Sequence, residues 1–321
     1  MDALPAPPVT PGGGDGDAGD RDGEAGPALP AQPVTTRRIA GLASVRPKQW
    51  PKNLLLFAGL IFAAKLGDAT RWLEAVAAFA AYCLASSAAY LVNDVRDAGH
   101  DRAHPVKRRR PIASGEVSER TALRLAAVLA AAAFALAGAL GPWSALFLAA
   151  FLALQAAYSL GLKHLVLIDV MAIGGLFVLR AAAGAEAVDV RISPWLLVCT
   201  ALLALFLGLA KRRGELVLVG AEETPGRPVL EGYSLALVNQ LVSVVAASTI
   251  SAYALYTFTA RPSKAMMATI PFVLFGVFRY LYLVHQRDLG EEPELVLLGD
   301  RQIQLCVVAW AVTSAIILLT T

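Results

Sequence analysis

Nine apolar runs constrain this chain more than any other feature, because segments of bilayer length in such number are hidden from water only by crossing lipid. They fall near residues 53–65, 73–92, 122–140, 144–160, 165–184, 194–210, 235–258, 265–285 and 303–319. A hydrocarbon core about 30 Å thick takes roughly 20 helical residues to cross. Within it each backbone N–H and C=O must be satisfied by its own segment, which selects helices. Charged residues make up 17% of the 321 and hydrophobic ones 57%, where soluble domains carry about a quarter charged. The expected fold is an all-α integral membrane protein of nine transmembrane helices. The first run is short and needs Trp50 and Pro51, or a tilt, to cross. Between the third and fourth, Leu140-Gly141-Pro142-Trp143 reads as a tight hairpin with an interfacial tryptophan.

Residues 1–36 are a different material, built from Gly, Pro, Ala and Asp with almost nothing large and apolar. Such a segment cannot bury enough surface to offset its ordering entropy. It is expected to be disordered and dispensable, with residues 37–321 forming one transmembrane domain. It lacks the cationic region and apolar core of a signal peptide. With the N-terminus inside, 20 of the 28 Lys and Arg fall on inner segments and five on outer loops, while Arg124, Arg180 and Arg279 lie within helices. By the positive-inside rule the N-terminus and the long charged loops face the cytosol, and the plasma membrane is the expected location. Cys83, Cys199 and Cys306 lie far apart in apolar runs and read as reduced packing residues. The net charge of +3 says little by itself, and no nucleic-acid partner is expected.

The second run ends in Asn93-Asp94-Val95-Arg96-Asp97-Ala98-Gly99-His100-Asp101. Carboxylates beside a membrane helix are costly, so they point to function. On a helix Asn93, Asp97 and Asp101, spaced i, i+4, i+8, are expected to form one oxygen-bearing stripe, with Asp94 about 100° round the helix from Asn93. A basic cluster, Lys107-Arg108-Arg109-Arg110, then Pro111-Ile112-Ala113-Ser114-Gly115, follows at once. Mg²⁺ is usually held by one or two carboxylates plus the phosphates of its substrate. Asn93, Asp94, Asp97 and Asp101 are therefore candidate metal ligands. Lys107, Arg108 and Arg110 are candidate phosphate contacts, presented by a Pro- and Gly-bounded turn. The plainer alternatives are charge neutralisation and topology signalling.

A second constellation opens between the fourth and fifth runs, with Tyr158, Lys163 and Asp169. An aspartate in an apolar helix needs a cation or donor. Lys163 could be that partner, or both could belong to a functional site. Arg180, near the outer end of its helix, is expected to snorkel outward. Lys211-Arg212-Arg213-Gly214-Glu215 and Arg279-Tyr280 are phosphate clamps or topology signals. His100, His104, His164 and His285 show no zinc spacing.

The Asn93-Asp94-x-x-Asp97-x-x-x-Asp101 motif followed by Arg110-Pro-Ile-Ala-Ser-Gly115 resembles the UbiA-type superfamily of intramembrane prenyltransferases. The nine-run count agrees, and the likeness covers everything after the N-terminal tail. The second motif departs from the common pattern, with Asp169 alone and Met171 and Ile173 where further acids would stand. Tyr158-x₄-Lys163-x₅-Asp169 is instead similar to the decaprenyl-phosphate phosphoribosyltransferase branch, as are Arg46-Pro-Lys48-Gln-Trp-Pro-Lys52-Asn53, Lys211-Arg212-x-x-Glu215, Arg279-Tyr280 and Asp300-Arg301.

The resemblance implies a UbiA-like bundle and Mg²⁺-dependent transfer of 5-phosphoribose from PRPP to a polyprenyl phosphate, a step toward the arabinose donor of cell-wall arabinan. It implies Asp97, Lys163 and Asp169 as catalytic residues, with Asp169 toward a ribose hydroxyl. Substrate contacts would come from Lys48, Lys52, Lys107, Arg108, Arg110, Tyr158, Lys163, Lys211 and Arg279. The alternative is a prenyltransferase acting on a polyprenyl diphosphate and an aromatic or other acceptor. A transporter fits less well, since transporters place polar groups at the midplane and this chain gathers them at one face. Small residues throughout the helices also allow a homo-oligomer.

Overall fold

The structure, a computed structural model, describes residues 44–62, 67–103, 107–222, 228–260, 263–287, 290, 293, 296 and 299–320. The expected disordered tail, His104 and Lys65 lie outside them. Described residues beyond the turns are helical, and eight helices are long and apolar enough to cross a membrane. The expected ninth span, the first, differs. Residues Pro47–Phe57 form a 3₁₀ helix and only Ala58–Phe62, here α1, is α-helical. Pro51 stands inside this stretch, where it removes a donor and clashes with the preceding turn of an α-helix.

The eight long helices are α2 (Ala69–Ala103), α3 (Glu119–Leu140), α4 (Pro142–Leu160), α5 (Ile168–Ala187), α6 (Pro194–Glu222), α7 (Leu235–Thr259), α8 (Ile270–Gln286) and α9 (Arg301–Thr320). The expected hairpin joins α3 to α4 through Gly141, with Pro142 opening α4 and Trp143 62% exposed. Three starts on one face of the up-and-down bundle carry side-chain caps. The Ser118 hydroxyl accepts from the Thr121 N–H at 3.2 Å, Ser234 from Leu237 at 3.1 Å and Asp300 from Ile303 at 2.9 Å. The 35 residues of α2 span about 52 Å, well beyond the hydrocarbon layer. Its last turns, which carry Asn93 to Asp101, therefore emerge on the face of those three caps. α6 likewise runs on past residue 210, so Lys211 to Glu215 are helical.

α5 is the axis of the bundle, packed against α2, α4, α6 and the 47–62 segment. One apolar core joins α2, α3, α4 and α5 around Tyr82, Leu148, Phe151 and Leu176. Another joins α6, α7 and α8 around Phe206, Val238, Val242 and Val284. Helices in lipid associate through close packing, with no hydrophobic drive to bring them together. Gly184 shows how close α5 comes to the N-terminal segment: a Cβ there would lie 2.1 Å from the Leu56 carbonyl oxygen and 2.6 Å from its Cα. Backbone cannot step aside as a side-chain tip can. Gly184→Leu is expected to destabilise the bundle by about 3 kcal/mol or more, read as a lowered unfolding temperature in detergent; an unchanged temperature would mean that this seam is loose.

Arg180 does not snorkel. It is 5% exposed, and its Nε donates to Asn53 Oδ1 at 2.8 Å while Nη1 donates to the Leu176 carbonyl at 3.1 Å. The rings of Phe151 and Phe177 lie 4.6 and 5.1 Å from the guanidinium carbon. With acceptors and π faces in place, the charge has no need to reach water, and it pins the N-terminal segment to α5.

Candidate active site

The polar motifs meet where α2, α4, α6 and α8 end and α5, α7 and α9 begin. At the end of α2 the expected stripe resolves into two pairs. Asn93 Nδ2 donates to Asp97 Oδ2 at 3.0 Å, and Lys163 Nζ stands 3.9 Å from Asp97 Oδ1, with the Asp97 side chain 30% exposed. Asp101 has turned away to join Asp94. Arg110 Nη1 lies 2.6 Å from Asp101 Oδ2 and 3.2 Å from Asp94 Oδ1, and Arg46 Nη2 donates to the same Asp94 oxygen at 2.5 Å. The helical period explains this, because eight residues advance the angle by 80°, which sets Asp101 within about 20° of Asp94. Asp94 and Asp101 are each 4% exposed. The expected stripe of Asn93, Asp97 and Asp101 is thus corrected to an open Asn93–Asp97 pair, with Asp101 joined to Asp94 in a buried Asp–Arg cluster.

The 110–117 turn has the expected form. The Ser114 N–H donates to the Arg110 carbonyl at 2.8 Å and Val117 to Pro111 at 2.9 Å. Ile112 and Val117 pack into a core with α2 and α3, which holds Arg110 against the end of α2. Lys48 and Arg108 are exposed, while Lys52, Lys107 and Lys211 are half-buried.

Asp169, 0% exposed, takes a different partner from the Lys163 considered above. Arg212 Nε donates to its Oδ2 at 2.6 Å and the Tyr233 hydroxyl to its Oδ1 at 2.7 Å. Arg212, also 0% exposed, bonds Glu215 as well, and its Nη2 reaches the Tyr158 hydroxyl at 3.5 Å. Each Asp169 oxygen already accepts one of these bonds and the side chain is fully buried, so its direct partners are Arg212 and Tyr233. Arg213 ties α6 to its neighbours through Asn239 Oδ1 at 3.1 Å and the Val284 carbonyl at 2.7 Å. Arg279 pairs with Asp300 at 2.7 Å. That bond holds the Asp300 carboxyl below the ordinary carboxylate range, so the pair outlasts the usual carboxylate titration on acidification. Arg46 and Tyr233 are site residues with no role readable from the sequence alone. Each acts across a long stretch of chain, where no local spacing reveals a partner.

α6, α7, α8 and α9 with Leu55 and Ala58 line a part-open apolar cavity of about 430 Å³ that reaches toward this polar face. Trp195, Phe206, Phe272, Val277 and Trp310 are among its walls, and Tyr280 and Ile303 bring it next to the Arg279–Asp300 pair.

Residues 54–298 match the model of the UbiA prenyltransferase family. The chain belongs to the UbiA family. It is a multi-pass membrane protein with the UbiA fold. A UbiA homologue from Archaeoglobus fulgidus bound to DMAPP and Mg²⁺ superposes with a TM-score of 0.68 at 17% identity, covering 87% of this chain and 99% of the other. A structure concerned with digeranylgeranylglyceryl phosphate synthase matches with a TM-score of 0.63 at 14% identity, covering 89% and 99%. Among UbiA-family relatives, the decaprenyl-phosphate phosphoribosyltransferase of Mycolicibacterium smegmatis is 35% identical over 85% of this chain and 90% of its own. Those of Mycobacterium tuberculosis and Corynebacterium glutamicum are 36% and 32% identical, covering 86% and 84% of this chain and 93% and 83% of theirs.

Among the described residues no three His, Cys, Asp or Glu side chains form a metal cage. Magnesium does not need one where substrate phosphates complete its shell. The Asn93–Asp97 pair supplies two oxygen-bearing side chains, with Asp97 part-exposed, and so fits that ion, while the cationic groups nearby suit the phosphates that would complete its shell.

Proposed function

We propose that this protein transfers 5-phosphoribose from PRPP to a polyprenyl phosphate, decaprenyl phosphate being the acceptor in the name of its relatives, and releases pyrophosphate. The observation that carries the reading is the meeting of Asp97 and Lys163 at 3.9 Å. It joins the two motifs into one site, with a single carboxylate on the metal side and a cation opposite. The 32–36% identity to phosphoribosyltransferases over most of the chain supports the same branch. The site faces the cytosol of the plasma membrane, the side favoured by the Lys and Arg distribution.

Asn93 and Asp97 would hold Mg²⁺, which would supply charge neutralisation for the departing pyrophosphate. Asp94 and Asp101 brace Arg46 and Arg110, and Arg110 with Lys107 and Arg108 contacts pyrophosphate or 5-phosphate oxygens. Lys48, Lys52, Lys211 and Arg279 form the outer cationic rim. Lys163 receives the acceptor phosphate, whose chain lies in the apolar cavity between α6 and α9. Asp169 and Tyr158 act through Arg212, fixing the second half of the site. The attacking oxygen belongs to a phosphate monoester with a second pKa of about 6, so it is largely dianionic at pH 7 and requires no general base. Residues 37–321 are the catalytic unit and 1–36 are dispensable.

Pyrophosphate release separates this reading from the alternative. It is expected from PRPP only when polyprenyl phosphate is present. Release from a polyprenyl diphosphate with an aromatic acceptor, and none from PRPP, would place the protein among the ordinary prenyltransferases.

A further inference from the structure

The connection from α4 to α5 carries Lys163 and ends on Leu167, whose backbone has φ 67° and ψ −40°. That conformation is strained for a branched side chain and persists only where the surroundings hold it. What holds it comes from 66 residues away. The Leu167 N–H donates to the Tyr233 hydroxyl at 2.7 Å. The same hydroxyl donates onward to Asp169 Oδ1 at 2.7 Å, so its single proton is committed and its lone pair faces the amide. Tyr233 is 6% exposed and follows the Pro228–Gly232 turn that leads into α7. Next to it, Gly232 packs so tightly under the loop that a Cβ would come within 2.4 Å of Val166 Cγ2. Burial, helped by the bond to Asp169, pushes the Tyr233 hydroxyl up to about 12, so it remains a donor across the physiological range.

We propose that Tyr233 is a positioning residue for Lys163: its hydroxyl clamps the strained Leu167 backbone to Asp169 and so fixes the lysine loop opposite Asp97. Leu167 lies four residues from Lys163, and relaxation of its backbone would carry the loop, and the ammonium with it, away from Asp97. Arg212, holding the other Asp169 oxygen, keeps the carboxylate where Tyr233 can reach it. The α6–α7 connection thereby sets acceptor binding although it contributes no group to the reacting atoms. The proposal rests on the reading of Lys163 as the acceptor-phosphate contact.

Transfer from PRPP should be measured with both substrates varied for the wild type, Tyr233→Phe, Leu167→Gly and the double variant. Losing a hydrogen bond in a charged network costs about tenfold. Tyr233→Phe is expected to lower kcat/KM for polyprenyl phosphate by about that factor, with KM for PRPP little changed and the protein still folded. Glycine adopts positive φ unaided, so adding Leu167→Gly to Tyr233→Phe should restore most of the loss. Wild-type kinetics in Tyr233→Phe, or equal losses toward both substrates that Leu167→Gly does not relieve, would overturn the proposal while leaving the proposed activity intact. No transfer by the wild type would overturn that activity, and the role of Tyr233 with it.

Discussion

Asp97→Asn is expected to lower turnover at least about 100-fold while leaving the protein folded. Outer-shell partners of metal ligands already cost 10–100-fold when changed, and Asp97 is the accessible carboxylate beside Asn93. Its side chain is 30% exposed, and its ion pair with Lys163 spans 3.9 Å. A part-exposed pair of that length contributes about 0–1 kcal/mol to stability, so unfolding temperature and activity should separate cleanly. The activity remaining should need far more Mg²⁺. Asp94→Asn makes the contrast, because Asp94 is buried between Arg46 and Arg110 and its loss should appear first in stability. Turnover with Mg²⁺ titration, beside thermal unfolding, distinguishes the two; near-wild-type turnover in folded Asp97→Asn would remove Asp97 from the metal site.

Arg212→Leu is expected to be the most damaging single change for the fold. Removing the guanidinium leaves Asp169 charged at 0% exposure and takes away the Arg212 ion pair of Glu215, and breaking a buried pair on one side costs about 3–5 kcal/mol. Adding Asp169→Asn should recover part of the loss, since the orphaned charge disappears while an acceptor for Tyr233 remains. Unfolding in detergent reads both steps. A tolerated Arg212→Leu would mean that water or another cation reaches Asp169.

The spans and their order were legible because membrane helices declare themselves by length and hydropathy, and the hairpin at Gly141 by its turn residues. Where the first span was expected, Pro51 acts against a regular α-helix, an effect that hydropathy does not register. The end of α2 was legible as a site and less so as a geometry. A count of i, i+4, i+8 hides the 80° drift that sends Asp101 to Asp94. Pairings across the fold were the least visible. Asp169 lies 43 residues from Arg212 and 64 from Tyr233, while Lys163 is close in sequence but turned toward Asp97. Arg180 was read from its distance to the helix end, whereas Asn53, 127 residues away, supplies the acceptor that keeps it inside.

Incubating purified protein with ribose-labelled PRPP and decaprenyl phosphate, with Mg²⁺ or with EDTA, tests the central claim most directly. The account predicts label in the lipid-extractable fraction with the metal and none with EDTA. Label that stays water-soluble under both conditions, from protein shown to be folded, would contradict it.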